Sequence, residues 1–320
     1  MKIVITDVSW GSYDVEISYL PEDAEVVCEQ ITNDEDRLIE ACQGAVAAMS
    51  EYAPFTRRVL EALPDLKIIS STAMGYDNID VEAAKELGIT VANVPDYCFD
   101  EVAEHAMALA LGALRNIPGY DKSVKEDKKW DFAVAPKLYR INGMTMGFIG
   151  CGRIPRKAMN MAKGFGMKLV GYDPYLPKEI ADEMGLTMMS IEEIGECADV
   201  ILSHVPLMPS TAGMVSKNLF DHVKKSPVFL NTSRGGTVDY HELSQALKDG
   251  RIRMAALDVV DAEPADFDSE IFTCDNVIFT PHAAFYSETA LEEVRRRSAQ
   301  NVTNFLTQNG GKIEYVVKPE

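Results

Sequence analysis

The chain has 320 residues, long enough for two domains, and 47% of them are apolar, enough for a full core. Its formal charge of −19 argues against a nucleic-acid groove or an anionic membrane surface, since both need clustered Lys and Arg. The six cysteines form no C-x-x-C pair, so no metal site or redox pair is expected, and they read as reduced thiols of a cytoplasmic protein.

The start, MKIVITDV, reads as a strand rather than a signal peptide. Residues 1–99 then alternate strand and helix signals. Strands are expected over Ile3–Thr6, Ala24–Cys28, Ala45–Met49, Leu66–Ser70 and Ile89–Val94. Between them, helices are expected over Asp34–Cys42 and Thr56–Leu63, and from Asp80 to a stop at Gly88. Such βα alternation implies a parallel, doubly wound sheet. Asp100 to Leu114 reads as one long helix, apolar on most sides and therefore buried. Its longest apolar run, near Ala106 to Leu114, is too short to span a membrane. Residues 115–143 are polar and read as an irregular arm, in which Trp130 and Tyr139 are candidates for a dimer contact or for local packing.

A second βα series begins at Thr145. The stretch Thr145 to Asp173 contains a strand, the glycine turn Gly150-Cys151-Gly152, a helix-period segment and a second strand ending in an acid. That is the order of a dinucleotide-binding βαβ unit. Gly150 permits the tight turn, and Gly152 leaves room for a pyrophosphate beside the helix N-terminus. The N–H groups of Arg153 and Ile154 should meet that pyrophosphate. Asp173 can accept hydrogen bonds from ribose hydroxyls and would repel a 2′-phosphate, which favours NAD over NADP. Pro155 occupies the third glycine position of the fingerprint, and the first turn of a helix tolerates its missing N–H. Further on, Ser190-x-x-Glu193 reads as a capping box, Asp239 as a helix cap, and Thr289-x-x-Glu292 as the start of a helix reaching about Phe305. Strands are expected at Val200–Val205, Val228–Asn231, Met254–Val259 and Val277–Thr280. The fold class is therefore α/β, with two doubly wound parallel-sheet domains of the Rossmann or flavodoxin-like type.

Three residues follow successive strands of the second series: Arg234, Glu263 and His282. Ligands of such folds sit at the carboxyl ends of the strands, on the side of the glycine turn. The residue types suit reduction of a 2-oxo acid. An arginine fork can hold a carboxylate and an adjacent carbonyl oxygen. A histidine can supply a proton to that oxygen as hydride reaches carbon. A carboxylate beside such a histidine holds its ring and favours the imidazolium.

With these residues in view, the chain resembles the D-isomer-specific 2-hydroxyacid dehydrogenases over nearly its full length. The matching stretches are MGYDNID (74–80), VPDYCFDEVAEHAMAL (94–109), GFIGCGRIP (147–155), LNTSRGG (230–236), ALDVVDAEP (256–264) and TPHAAFYSE (280–288). The second and last of these most resemble the branch that includes the C-terminal-binding-protein corepressors, with phosphoglycerate-dehydrogenase-like relatives beside it. The resemblance implies that Arg234, Glu263 and His282 are catalytic, and that Thr232 and Asp258 contact the nicotinamide half of NAD. It also implies a discontinuous substrate-binding domain, residues 1–99 plus 288–320, and a dinucleotide-binding domain, residues 100–287, with the active site in the cleft between them. The loop holding Ala73, Met74 and Gly75 would bind the substrate carboxylate through backbone N–H groups. Where many members read Arg-x-Gly-x-Gly, this chain reads Ser71-Thr72-Ala73-Met74-Gly75. The missing arginine points to an unphosphorylated acid. Phe285 stands where corepressor-type members carry tryptophan and is expected to line the pocket.

The expected protein is a cytoplasmic, homodimeric, NAD-dependent oxidoreductase acting on a small 2-oxo or 2-hydroxy acid, with no nucleic-acid or membrane partner. The alternative is an NADH-sensing binding protein of corepressor type. The intact three residues favour the enzyme, as does the lack of an added tail after Glu320.

Overall fold

The computed structural model describes residues 1–307 and 311–318. The chain divides into two units, Met1–Tyr97 with Ser287–Glu320, and Cys98–Tyr286. The first unit begins with five strands: β1 (Lys2–Ile5), β2 (Glu25–Cys28), β3 (Ala45–Ser50), β4 (Ile68–Ser71) and β5 (Thr90–Ala92). The second unit holds β6 (Thr145–Ile149), β7 (Lys168–Tyr172), β8 (Leu186–Met188), β9 (Val200–Ser203), β10 (Val228–Asn231), β11 (Met254–Leu257) and β12 (Val277–Phe279). The chain then returns to the first unit, where β13 (Tyr315–Val317) follows the last helix.

In the first unit the spatial order is β2-β1-β3-β4-β5-β13. All its pairings are parallel except the last, in which β13 runs antiparallel to β5. In the second unit the order is β8-β7-β6-β9-β10-β11-β12, parallel throughout. Helices cover both faces of such sheets, so their central strands read as continuous apolar runs. β9 (VILS) and β10 (VFLN) are buried at every residue. The order reverses at β6, which lies between β7 and β9. A crevice for a ligand forms at the carboxyl ends beside such a reversal.

Several features differ from the sequence expectations, among them the following four. A short helix, Asp14–Tyr19, occupies the stretch between β1 and β2. Its one buried residue is Glu16, so no apolar stripe announces it. Glu16 instead takes both Arg295 Nε and Nη2 at 2.8 Å, and the Trp10 indole N–H at 3.0 Å. A helix also spans Ile117–Lys125, where an irregular arm was expected. Asn116 is left-handed before it and Pro118 falls in its first turn, a place that tolerates proline. The last helix spans Glu288–Thr307. Its cap is the Ser287 hydroxyl, which accepts the Ala290 N–H at 3.0 Å, rather than Thr289. Finally, β13 forms an antiparallel edge that βα alternation does not predict.

Other signals appear as read. Ser190 and Glu193 form the reciprocal capping box. Asp80 and Asp239 accept the N–H groups of Ala83 and Glu242 at their helix starts. The long helix is Phe99–Leu114, with most of its apolar residues buried.

Candidate active site

The glycine turn leaves β6 at Gly150, whose φ is +91°. A Cβ there would lie 2.4 Å from the carbonyl oxygen of His204, the residue after β9. The turn thus needs glycine twice, for its backbone angle and for the approach of the neighbouring strand. Gly152 is the N-cap of the helix Arg153–Gly164, and nothing lies within 4 Å of where its Cβ would be. Open space therefore faces the start of this helix. The N–H groups of Arg153 and Ile154 sit in its first turn, where helices leave donors unpaired. Pro155 is buried at the next position, where its missing N–H costs no helical hydrogen bond.

Asp173 follows β7. Its Oδ2 accepts the Cys151 N–H at 2.9 Å, and its Oδ1 accepts the Tyr175 N–H at 2.9 Å. The carboxylate is thereby fixed beside the glycine turn. Cys151 is fully buried, and burial pushes its thiol up to about 12. It is a packing residue, against which a Cβ at Gly171 would clash at 2.9 Å.

These features fit a dinucleotide. The open volume at Gly152, the helix start and the oriented Asp173 match pyrophosphate and ribose in turn.

The next loop follows β10. Asn231 accepts the Ser233 N–H at 3.0 Å and donates to the Arg234 carbonyl at 3.0 Å. Ser233 Oγ donates to the Val205 carbonyl at 2.8 Å, tying this loop to the one after β9. Thr232 is buried, and its hydroxyl lies 3.3 Å from His204 Nδ1. Burial, with the Arg234 charge adding to it, pushes His204 down to about 4, so this ring is neutral near pH 7. Arg234 Nη1 donates to the Ser233 carbonyl at 2.9 Å. At Gly235 a Cβ would lie 1.7 Å from the Val260 carbonyl oxygen. Only glycine lets the Arg234 loop close on the loop after β11.

That second loop carries Asp258 and Glu263. His282 follows β12 with a left-handed φ of +51°. Its Nδ1 lies 2.5 Å from Glu263 Oε2. The Nδ1 side is thus committed to the carboxylate, and Nε2 is the atom left for chemistry. The Phe285 ring lies edge-on to the imidazole, with centroids 6.4 Å apart.

Asp258 is 2% exposed and organises this turn. Its Oδ1 accepts the Thr280 hydroxyl at 2.6 Å and the Ala283 N–H at 2.9 Å. Its Oδ2 accepts the Ala284 N–H at 3.0 Å, and its carbonyl accepts the His282 N–H at 2.8 Å. His105 Nε2, from the long buried helix, meets the same Thr280 hydroxyl at 3.0 Å.

In the first unit, the loop after β4 carries Ala73, Met74 and Gly75. Their carbonyls are tied back: Ala73 to the Val94 N–H, Met74 to the Asn93 side chain at 2.7 Å, and Gly75 to the Ser71 hydroxyl at 2.9 Å. Among the described residues, their N–H groups have no hydrogen-bond partner. At the carboxyl ends of β1 and β3, the Asp7 carboxylate gathers the Thr6 hydroxyl at 2.6 Å, the Tyr52 N–H at 2.6 Å and the Glu51 N–H at 3.3 Å. Glu51 is 7% exposed and accepts the Ser9 N–H at 2.9 Å. Burial, with Asp7 adding to it, pushes Glu51 up to about 7.

Residues 107–284 match the family model for D-isomer specific 2-hydroxyacid dehydrogenase, NAD binding domain. Over 279 residues the chain is 36% identical to a glyoxylate reductase of Korarchaeum cryptofilum, covering 86% of this chain and 82% of that protein. The chain belongs to the D-isomer specific 2-hydroxyacid dehydrogenase family. A D-3-phosphoglycerate dehydrogenase of Methanocaldococcus jannaschii is 40% identical over 309 residues, which is 96% of this chain and 57% of that longer protein. The D-lactate dehydrogenase of Aquifex aeolicus, solved with NAD and lactic acid, superposes with a TM-score of 0.85 at 28% identity, covering 99% of this chain and all of that one. The second unit is thus the NAD-binding domain of this dehydrogenase family.

In this family member, Arg234, Glu263 and His282 all lie at the carboxyl edge of one sheet, as their spacing predicts. Sequence reasoning missed the role of Thr280, and did not foresee how Asp258 is used. Nothing in the sequence shows that a carboxylate after β11 will collect N–H groups from a turn 25 residues later. Glu51 was also missed, and the EY pair after an apolar strand was its only signal.

Proposed function

We propose that this protein is an NAD-dependent oxidoreductase interconverting a small, unphosphorylated 2-oxo acid and its D-2-hydroxy acid. The observation that carries the reading is the Glu263–His282 pair at 2.5 Å, next to the glycine-built closure of the Arg234 loop. When bound, NAD(H) supplies or accepts the hydride at the substrate C2. Arg234 holds the substrate carboxylate and the oxygen at C2 with its planar fork. His282 exchanges a proton with that oxygen through Nε2, while Glu263 on Nδ1 keeps the ring in the required orientation. The free N–H groups at Ala73, Met74 and Gly75 take the substrate carboxylate, and Phe285 closes the pocket beside the imidazole. Gly150 and Gly152 make room for the dinucleotide, Arg153 and Ile154 donate to its pyrophosphate, and Asp173 accepts from its ribose. Thr232 and Asp258 border its nicotinamide half.

The family includes enzymes named for phosphorylated and unphosphorylated acids, so the choice rests on this chain's own residues. Ser71 stands where an arginine would meet a phosphate, and its hydroxyl is spent on Gly75. In this reading residues 1–99 with 288–320 bind substrate, and residues 100–287 bind NAD. A homodimer is proposed through the arm carrying Trp130 and Tyr139, which are 90% and 60% exposed. A cytoplasmic setting suits the six free cysteines.

The substrate class is tested by assaying glyoxylate, pyruvate, hydroxypyruvate and 3-phosphohydroxypyruvate with NADH. One of the unphosphorylated acids should exceed the phosphorylated one in kcat/KM by about tenfold or more. A preference for the phosphorylated acid would overturn that assignment while leaving the reaction class intact. The corepressor-type reading predicts NADH binding without turnover of any of the four.

A further inference from the structure

We propose that the amino edge of the NAD-binding sheet carries a second ligand site, a groove that takes a small phosphate monoester on Arg140, Lys225 and Arg253. The groove has a volume of about 540 Å³, and Tyr139, Met144 and Asp199 also line it. Its residues sit just before strands: Met144 before β6, Asp199 before β9, Lys225 shortly before β10 and Arg253 before β11. The glycine turn follows the opposite, carboxyl end of β6. Five residues of strand separate the two, about 15 Å. The groove is therefore no part of the dinucleotide crevice.

Its charge is unusual for this chain. In a protein of net charge −19, three cations gather around one carboxylate. That carboxylate is already engaged, since Asp199 accepts the Thr145 N–H at 2.8 Å and Lys225 Nζ at 3.2 Å. Among the described residues, the guanidinium groups of Arg140 and Arg253 make no hydrogen bond or ion pair. Arg140 is exposed, but Arg253 is partly buried, and that burial lowers its pKa. Holding a guanidinium half out of water with its N–H fork unmatched is unfavourable. An oxyanion placed between the two arginines would satisfy both forks. The uncompensated charge of the groove matches a dianion, so a phosphate monoester fits better than a single carboxylate.

The test uses phenyl phosphate as the probe, titrated calorimetrically into protein saturated with NADH at constant ionic strength. Saturable one-site binding is expected. Arg253→Gln and Arg140→Gln should each weaken it about tenfold, as expected for loss of one charge-assisted contact. NADH affinity should stay within about twofold, since these residues lie at the far end of the sheet. Arg140 is exposed, so Arg140→Gln keeps the test valid if Arg253→Gln fails to fold. Absence of saturable binding, or binding that both substitutions leave unchanged, would overturn the proposal.

Discussion

Asp258 holds His282 in place without touching its ring. The Asp258 carbonyl accepts the His282 N–H at 2.8 Å, and the Asp258 carboxylate accepts the next two N–H groups, those of Ala283 and Ala284. A left-handed histidine is costly in isolation, and such strain persists only where surrounding bonds over-determine it. The imidazole that Glu263 orients therefore stands on a turn that Asp258 builds.

Asp258→Asn should accordingly disturb catalysis through geometry. An amide would turn one acceptor oxygen into a donor facing a peptide N–H. The expected cost is about 1–3 kcal/mol of stability, read as a lower denaturation midpoint. A fall in kcat of about tenfold or more should accompany it, because small misplacements of an acid–base group are expensive. Thr280→Val, which removes the hydroxyl shared by Asp258 and His105, should show a smaller effect of the same sign on both measurements.

Gly235 is the tightest point of the site. A methyl group there would meet the Val260 carbonyl at 1.7 Å, which no rotamer change relieves because a Cβ is fixed by its own backbone and the carbonyl is backbone. Gly235→Ala should destabilise the second unit by roughly 3 kcal/mol or more, measured by chemical denaturation with the NAD-binding domain as reporter. Stability within 0.5 kcal/mol or so of the parent would show that this loop yields readily.

We propose that Asp173 sets the cofactor choice. Its carboxylate is fixed by the Cys151 and Tyr175 N–H groups and cannot swing away from a 2′-phosphate. Asp173→Ser should raise kcat/KM with NADPH relative to NADH by about tenfold or more. An unchanged ratio would remove Asp173 from the ribose contact.

Glu51 provides a pH signature for the first unit. Its folded-state pKa is pushed up to about 7, above an unfolded carboxyl near 4.3. Between those values the folded state binds more protons than the unfolded state, so stability falls as pH rises through the window. Above about pH 7 the buried charge costs up to roughly 4 kcal/mol. Glu51→Gln should remove that slope and be the more stable protein at pH 8. His204, pushed down to about 4, contributes a slope of opposite sign over part of the range. The comparison of Glu51→Gln with the parent at each pH isolates Glu51.

Much of this architecture is legible in the sequence because parallel strands buried on both faces leave uninterrupted apolar runs, as at Val200–Ser203 and Val228–Asn231. Glycines with a steric reason, such as Gly150, and titratable groups just past strand ends, such as His282, are legible for the same reason: sheet topology brings strand ends together. Other features are invisible because they depend on partners distant in the chain. Glu16 is buried only because Arg295, 279 residues later, meets it. Asp258 looks like any strand-end acid until Thr280, Ala283 and Ala284 fold onto it. The groove of Arg140, Lys225 and Arg253 draws on loops before three different strands, and no local pattern joins them.

The most direct test of the central claim is the rate of NADH oxidation with pyruvate and hydroxypyruvate, with chiral analysis of the product, in the parent and in His282→Ala. The parent should form the D-2-hydroxy acid. The variant should lose about 10²–10⁴ in kcat while retaining NADH affinity, the usual contribution of a positioned acid–base group. Formation of the D-acid at an undiminished rate by His282→Ala, or no turnover of any 2-oxo acid by the parent, would contradict the account.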